Sequence, residues 1–249
     1  RIRSPAEAVQ AVLALEPLYA IRGPAAVLCR LLDDTIPLAV GDDVSLARLL
    51  VARGNVHRLA GETDLAVRET ERALEQVRGS GHPIETRAMS QLALLHSDGA
   101  RLDQAAAYAT DGLAVARAHR HRSLEGTLLG MMAAFAMMRG AADEAERRFL
   151  EAIRIHDEVG NELRAALDLV NFGLLLTELG RVQEAEERLL AALRLHTAWR
   201  NNRGTATAHH TLTTLRAGQG RLAEAQQHAR ESLRLYRGAG YTRFAALSA

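Results

Sequence analysis

Between Val182 and His196 the apolar or small positions Val182, Ala185, Leu189, Ala192, Leu193 and His196 recur at helical spacing, with Glu184, Glu186, Glu187 and Arg188 between them. That spacing draws one apolar stripe along an amphipathic helix and leaves the charges on the other side. Upstream, Leu163, Ala166, Leu167, Val170, Gly173, Leu174 and Leu176 make a second stripe that ends at Gly180, a residue suited to a left-handed closing turn. Two such helices joined at a glycine form a hairpin. Roughly sixteen residues per helix at 1.5 Å rise gives rods of about 24 Å.

The hairpin recurs along the chain. LGRVQEAEERLLAALRLH at 179–196 is matched by QGRLAEAQQHARESLRLY at 219–236, and Gly140, Ala145, Arg154 and His156 repeat the frame upstream. Gly61 with Ala66 fits it, and so does Ala105 with Ala100 in the glycine slot, so the anchors stand at 61, 100, 140, 180 and 220. The pattern predicts hairpins over 44–78, 84–117, 124–158, 163–198 and 203–238. A degenerate first hairpin falls within residues 1–40, spanning 4–37. Its second helix opens at Gly23-Pro24 and carries Leu28 where Ala is expected. YTRFAALSA at 241–249 reads as the first turns of a further helix, and the absence of an initiating Met reads as a piece of a longer polypeptide. No helix of this kind buries its stripe alone, so the hairpins are expected to stack into a single all-α solenoid domain over 1–249.

Composition narrows the chemistry. Apolar residues are 48% of the chain but aromatics only 4%, which points to a core of small residues between closely approaching helices. Strand-type alternation is absent. The single Cys29 excludes a disulfide framework and most thiolate metal sites. The longest uncharged run, Gly126 to Met138, falls short of the roughly 18 residues a membrane span needs. These features predict a soluble, cytoplasmic chain with no membrane contact.

All 31 basic residues are Arg, which rules out a phosphate-loop lysine, a Schiff base or a lysine general base. Gly218-Gln219-Gly220 imitates a dinucleotide fingerprint but bridges two helices instead of following a strand. His119 with His121, and His209 with His210, lack the i, i+4 spacing and the carboxylate motif of a metal site and read as solvated. The recurring pairs Arg154/His156, Arg194/His196 and Arg234/Tyr236 track the repeat and are structural, since the last turn of each second helix favours cations and large caps. With no nucleophile and base at an interpretable spacing, no catalytic residue, cofactor or metal is expected, and the chain is not read as an enzyme.

Small residues mark fixed slots: Gly54, Ala93, Ala133 and Gly173 in first helices, and Ala66, Ala105, Ala145, Ala185 and Ala225 in second helices. Seven residues later they recur as Ala73, Gly112, Ala152, Ala192 and Ser232. In these slots the chain resembles tetratricopeptide repeats over 44–238, and more loosely in the first hairpin. The period departs from the 34-residue norm, with the extra residues expected between hairpins, as at 158–163 (EVGNEL). This long-period form is similar to the repeats of bacterial signal-transduction ATPases and transcriptional regulators, and to kinesin-light-chain repeats.

The resemblance implies a right-handed α-α superhelix of about six hairpins and a recognition surface in place of an active site. It implies the sensor or interaction arm of a larger bacterial regulatory protein. The alternatives are a scaffold or spacer of a multidomain enzyme and a kinesin-light-chain-like cargo-binding repeat. The partner is a protein or peptide, another domain of the same polypeptide, or a small-molecule inducer. Nucleic acid is disfavoured by a net charge of +1 and few stacking aromatics. Family offsets place a concave groove at Arg48, Val51, Asn55 and Arg58; Arg87, Ser90, Leu94 and Ser97; Thr127, Gly130, Ala134, Met137 and Met138; Leu167, Val170, Leu174 and Thr177; and Thr207, His210 and Thr214. Its N-terminal third offers guanidinium groups suited to carboxylates or phosphates, and its middle is apolar with adaptable Met side chains.

Overall fold

The computed structural model describes residues 4–22 and 25–238, and within them the side chains of 4–16 and 27–237. The predicted Gly23-Pro24 opening and the helix expected at 241–249 lie outside the described residues. Twelve α-helices and one 3-10 turn, and no strand, make up the described chain. In order they are α1 (Pro5–Arg22), α2 (Ala25–Thr35), the turn Ile36–Ala39, α3 (Asp43–Ala60), α4 (Thr63–Val77), α5 (Pro83–Asp98) and α6 (Leu102–Ala118). There follow α7 (Arg122–Met138), α8 (Ala142–Glu158), α9 (Glu162–Glu178), α10 (Val182–Ala198), α11 (Asn202–Gly218) and α12 (Leu222–Gly238). Each of the five clear hairpins begins and ends within two residues of its predicted bounds.

Local chemistry explains where the helices start and stop. Asp42 accepts the Ser45 N–H at 3.0 Å, and Asn201 accepts the Gly204 N–H at 3.0 Å, each satisfying a donor that a helix start would leave orphaned. Asn161 caps α9 in the same way through Arg164. At the other end, Gly180 adopts φ +73° and the Arg181 N–H returns to the Leu176 carbonyl at 2.9 Å, which satisfies a last-turn acceptor. Ala100, Arg120 and Arg200 hold this left-handed slot without being glycine, at φ 57°, 57° and 50°.

The length of the repeat has a different origin from the one expected. From α8 to α12 every helix has 17 residues, and every link, within a hairpin or between hairpins, has three. The residues beyond the shorter norm are therefore helical, and EVGNEL is not an insertion: only its three central residues lie outside helix.

Contacts group the chain into two compact units, residues 1–128 and 129–249. In the first, Leu28, Leu32, Leu49, Leu50, Leu74 and Leu92 are fully buried. In the second, Phe149 and Phe172 stack at 5.9 Å between centroids, and Arg188 lies over the Phe172 ring at 5.6 Å. A fully buried side chain of this size contributes about 1.5–3 kcal/mol. The small slots come from close helix approach. A Cβ on Gly173 would stand 2.6 Å from Leu189 Cγ and 3.5 Å from the Ala185 carbonyl, so Leu189 is the first neighbour and the Ala185 backbone lies behind it.

Candidate functional site

The twenty positions of the expected groove all lie on the first helices of hairpins, α3, α5, α7, α9 and α11. Val51, Thr127, Gly130 and Val170 are buried, whereas the other sixteen are half-buried or exposed.

In the first unit the face is polar and cationic. Arg48 and Arg87 are exposed. Glu16 of α1 lies in their field: burial raises its carboxyl above the usual range, and Arg87 and then Arg48 draw it back down. Arg58 is more tied, with Nη2 donating to Asn55 Oδ1 at 3.3 Å and Nη1 3.7 Å from Asp98. Ser90, Leu94 and Ser97 continue the face along α5. Val51 serves packing, and its carbonyl accepts from Gln91 Nε2 at 3.1 Å while the same amide donates to Thr70. That one amide ties α3, α4 and α5 together.

In the second unit the face is apolar. Met138 is 56% exposed and Leu167 41%, with Ala134, Met137 and Leu174 half-buried. The hydroxyls nearby are largely committed: Thr177 donates to the Gly173 carbonyl at 2.7 Å, and Thr207 pairs with the Tyr236 hydroxyl at 2.9 Å. Thr214 is exposed and His210 half-buried.

Three polar arrangements escaped sequence reasoning or differ from it. The ring residues closing the second helices are caps turned into the core: His156, His196 and Tyr236 are 0%, 2% and 4% exposed, and burial pushes both imidazoles down, His156 to about 4. His209 is half-buried and does not stand free in solvent as expected, since its Nδ1 meets Nδ1 of His228 at 2.9 Å. The third arrangement is Asp168, 6% exposed, which stands where the sister hairpins place Leu49, Ala88, Leu128 and Ala208. Its carboxylate fills the space left by Gly130, where a Cβ would lie 2.3 Å from Oδ1. Burial drives this carboxyl up to about 7, and Arg164 opposes the shift. Its Oδ2 is 3.5 Å from His156 Nε2, and neither that oxygen nor either His156 nitrogen has a hydrogen-bond partner. Neither imidazole nitrogen is hydrogen-bonded to a hydroxyl or thiol among the described residues. A carboxylate on an apolar stripe was the one available signal for it.

Residues 164–238 match the tetratricopeptide repeat family model. No curated protein matches the chain. Among solved structures, a Rap protein complexed with Competence and Sporulation Factor is 13% identical with a TM-score of 0.81, over 98% of this chain and 68% of that one. NprR in complex with its cognate peptide NprX is 14% identical with a TM-score of 0.74, over 96% and 71%. A STAND protein with a tetratricopeptide repeat sensor from Pyrococcus horikoshii is 13% identical with a TM-score of 0.71, over 96% of this chain but 37% of that one. At these identities the likeness is one of fold.

Proposed function

We propose that this chain, whose residues 164–238 match the tetratricopeptide repeat family model, is a peptide- or protein-binding module, the sensor or interaction arm of a larger bacterial regulatory protein. The observation that carries the reading is the exposure of apolar side chains on first helices of the second unit, Met138 and Leu167 above all. Isolated exposed apolar residues are ordinary, but a run of them on the face that the family uses for recognition is a binding surface. Arg48 and Arg87 give the first unit a face for carboxylate or phosphate groups. Glu16 already lies in their field, so an anionic ligand shares or displaces that carboxylate. The likenesses to NprR with its peptide, to a Rap protein with its factor and to a STAND sensor support the same reading.

Peptide display against the purified chain tests it. Selected peptides should combine apolar anchors with acidic residues. Met138→Glu/Leu167→Glu should abolish their binding, and Arg48→Gln/Arg87→Gln should weaken it and flatten its salt dependence, with melting temperatures unchanged. Unaltered binding by both folded variants would move the site to the links between hairpins.

A further inference from the structure

His209 and His228 occupy positions where no sister hairpin carries a histidine. The place of His209 is taken by Leu50, Met89, Leu129 and Leu169, and that of His228 by Glu69, Tyr108, Arg148 and Arg188. Here the two imidazoles face each other across α11 and α12, with Nδ1 atoms 2.9 Å apart, centroids 5.2 Å apart and planes tilted by 36°. Both border an open recess of about 700 Å³, which Gln226, Gln227, Arg230 and Glu231 also line.

The contact holds one hydrogen, an Nδ1–H on one ring donating to the Nδ1 lone pair of the other. Burial holds both imidazoles below their usual range, with His228 adding to the effect on His209 and Arg216 to that on His228. Neutral imidazole ligates metals through the ring nitrogen that carries the lone pair. A metal–nitrogen bond is about 2.0–2.1 Å, so two nitrogens at a right angle lie about 2.9 Å apart and two at the tetrahedral angle about 3.3 Å. The observed 2.9 Å fits the right-angled edge. Right-angled nitrogen sets suit Cu²⁺ and Ni²⁺.

We propose that His209 and His228 form a two-imidazole site for a divalent transition metal of right-angled coordination, Cu²⁺ or Ni²⁺, which clips α11 to α12. The hydrogen between the rings passes to Nε2 of its own ring, a change of tautomer that frees both Nδ1 lone pairs without net proton release. No group of three or more His, Cys, Asp or Glu side chains among the described residues is arranged to hold a metal. The protein therefore supplies two ligands and water in the recess supplies the rest. Glu231 stays with Arg234, at 2.9 and 2.5 Å. The surrounding field is mixed, with Arg216 and Arg234 opposing the metal's charge and Glu186, Glu224 and Glu231 favouring it.

Calorimetric titration of the tag-free, chelator-stripped chain with NiCl₂ and CuCl₂ at pH 7.5 tests the site. One equivalent should bind. His209→Leu and His228→Arg, which restore the residues of the neighbouring hairpin, should each weaken that binding by at least about tenfold. Ni²⁺ should raise the melting temperature of the parent and not of these variants, and should broaden the imidazole signals of His209 and His228 before those of His119 and His121. His119→Ala/His121→Ala should bind as the parent does. Equal affinity in parent, His209→Leu and His228→Arg means an adventitious ion only and overturns the proposal, as does the absence of binding. If either variant melts early, the order of broadening in the parent decides the question.

Discussion

Replacing Asp168 by Asn keeps the shape of the buried side chain and removes its proton equilibrium. In the folded chain the Asp168 carboxyl is raised from 3.8 to about 7, a difference worth about 4 kcal/mol between its neutral and ionised forms. A raised pKa gives stability that is full below the unfolded value and lost as pH climbs through the folded one, so Asp168 destabilises progressively between pH 4 and 7. His156 works in the opposite sense. Its imidazole is lowered from 6.5 to about 4, so its stability is full above 6.5 and lost as pH falls toward 4. From pH 7 down to pH 5, linkage gives about 2 kcal/mol of relief at Asp168 and about 2 kcal/mol of loss at His156. The two nearly cancel.

The parent chain should therefore show little pH dependence from this pair, whereas Asp168→Asn should lose about 2 kcal/mol relative to it between pH 7 and pH 5. At pH 7 the variant should be more stable by up to about 4 kcal/mol, less whatever the buried amide leaves unsatisfied. Urea denaturation at pH 5, 6, 7 and 8 measures both. A parent and a variant whose unfolding free energies run parallel across that range would refute the reasoning, because the carboxyl would then be ionised or solvated throughout.

Other outcomes follow from the same structure. Ala100→Gly, Arg120→Gly and Arg200→Gly should each raise unfolding free energy by about 1 kcal/mol, since each relieves a left-handed residue; a loss in chemical denaturation at all three would contradict that slot. Ala185→Leu, at a wholly buried position, should cost roughly 1 to 3 kcal/mol by overpacking, and an unchanged thermal midpoint would mean that the helix register is wrong. Glu85→Ala should cost about 1–3 kcal/mol and speed amide exchange at Gly79 and Gly81, whose N–H groups Glu85 accepts at 2.6 and 2.9 Å. Unaltered exchange there would show that the loop is held by something else.

The hairpins were legible because the same burial is repeated: Ala66, Ala105, Ala145 and Ala185 meet the same wall, and all are inaccessible. Position 100 was read as a glycine slot from spacing alone and holds φ 57°. What stayed hidden depends on contacts between elements. Helix length and link length trade off in a fixed period, so EVGNEL read as an insertion. His209 was paired with its sequence neighbour because nothing in the chain announces His228, nineteen residues on. The family offsets name positions that all lie on first helices, but the burial of Val51, Thr127, Gly130 and Val170 depends on packing that a single helix's pattern does not carry.

Equal links also make the hairpins interchangeable. Excising residues 162–201 would join Asn161 to Asn202 and leave a three-residue link between α8 and α11, of the same length as the one removed. The junction keeps its chemistry, since Asn161 caps α9 as Asn201 caps α11. His156 would then meet Gly204, the glycine over which His196 already lies, its ring 2.4 Å from where a Cβ would be. A chain assembled this way can lengthen or shorten by recombination between any two equivalent residues, carrying the outer face of its first helices along in whole modules.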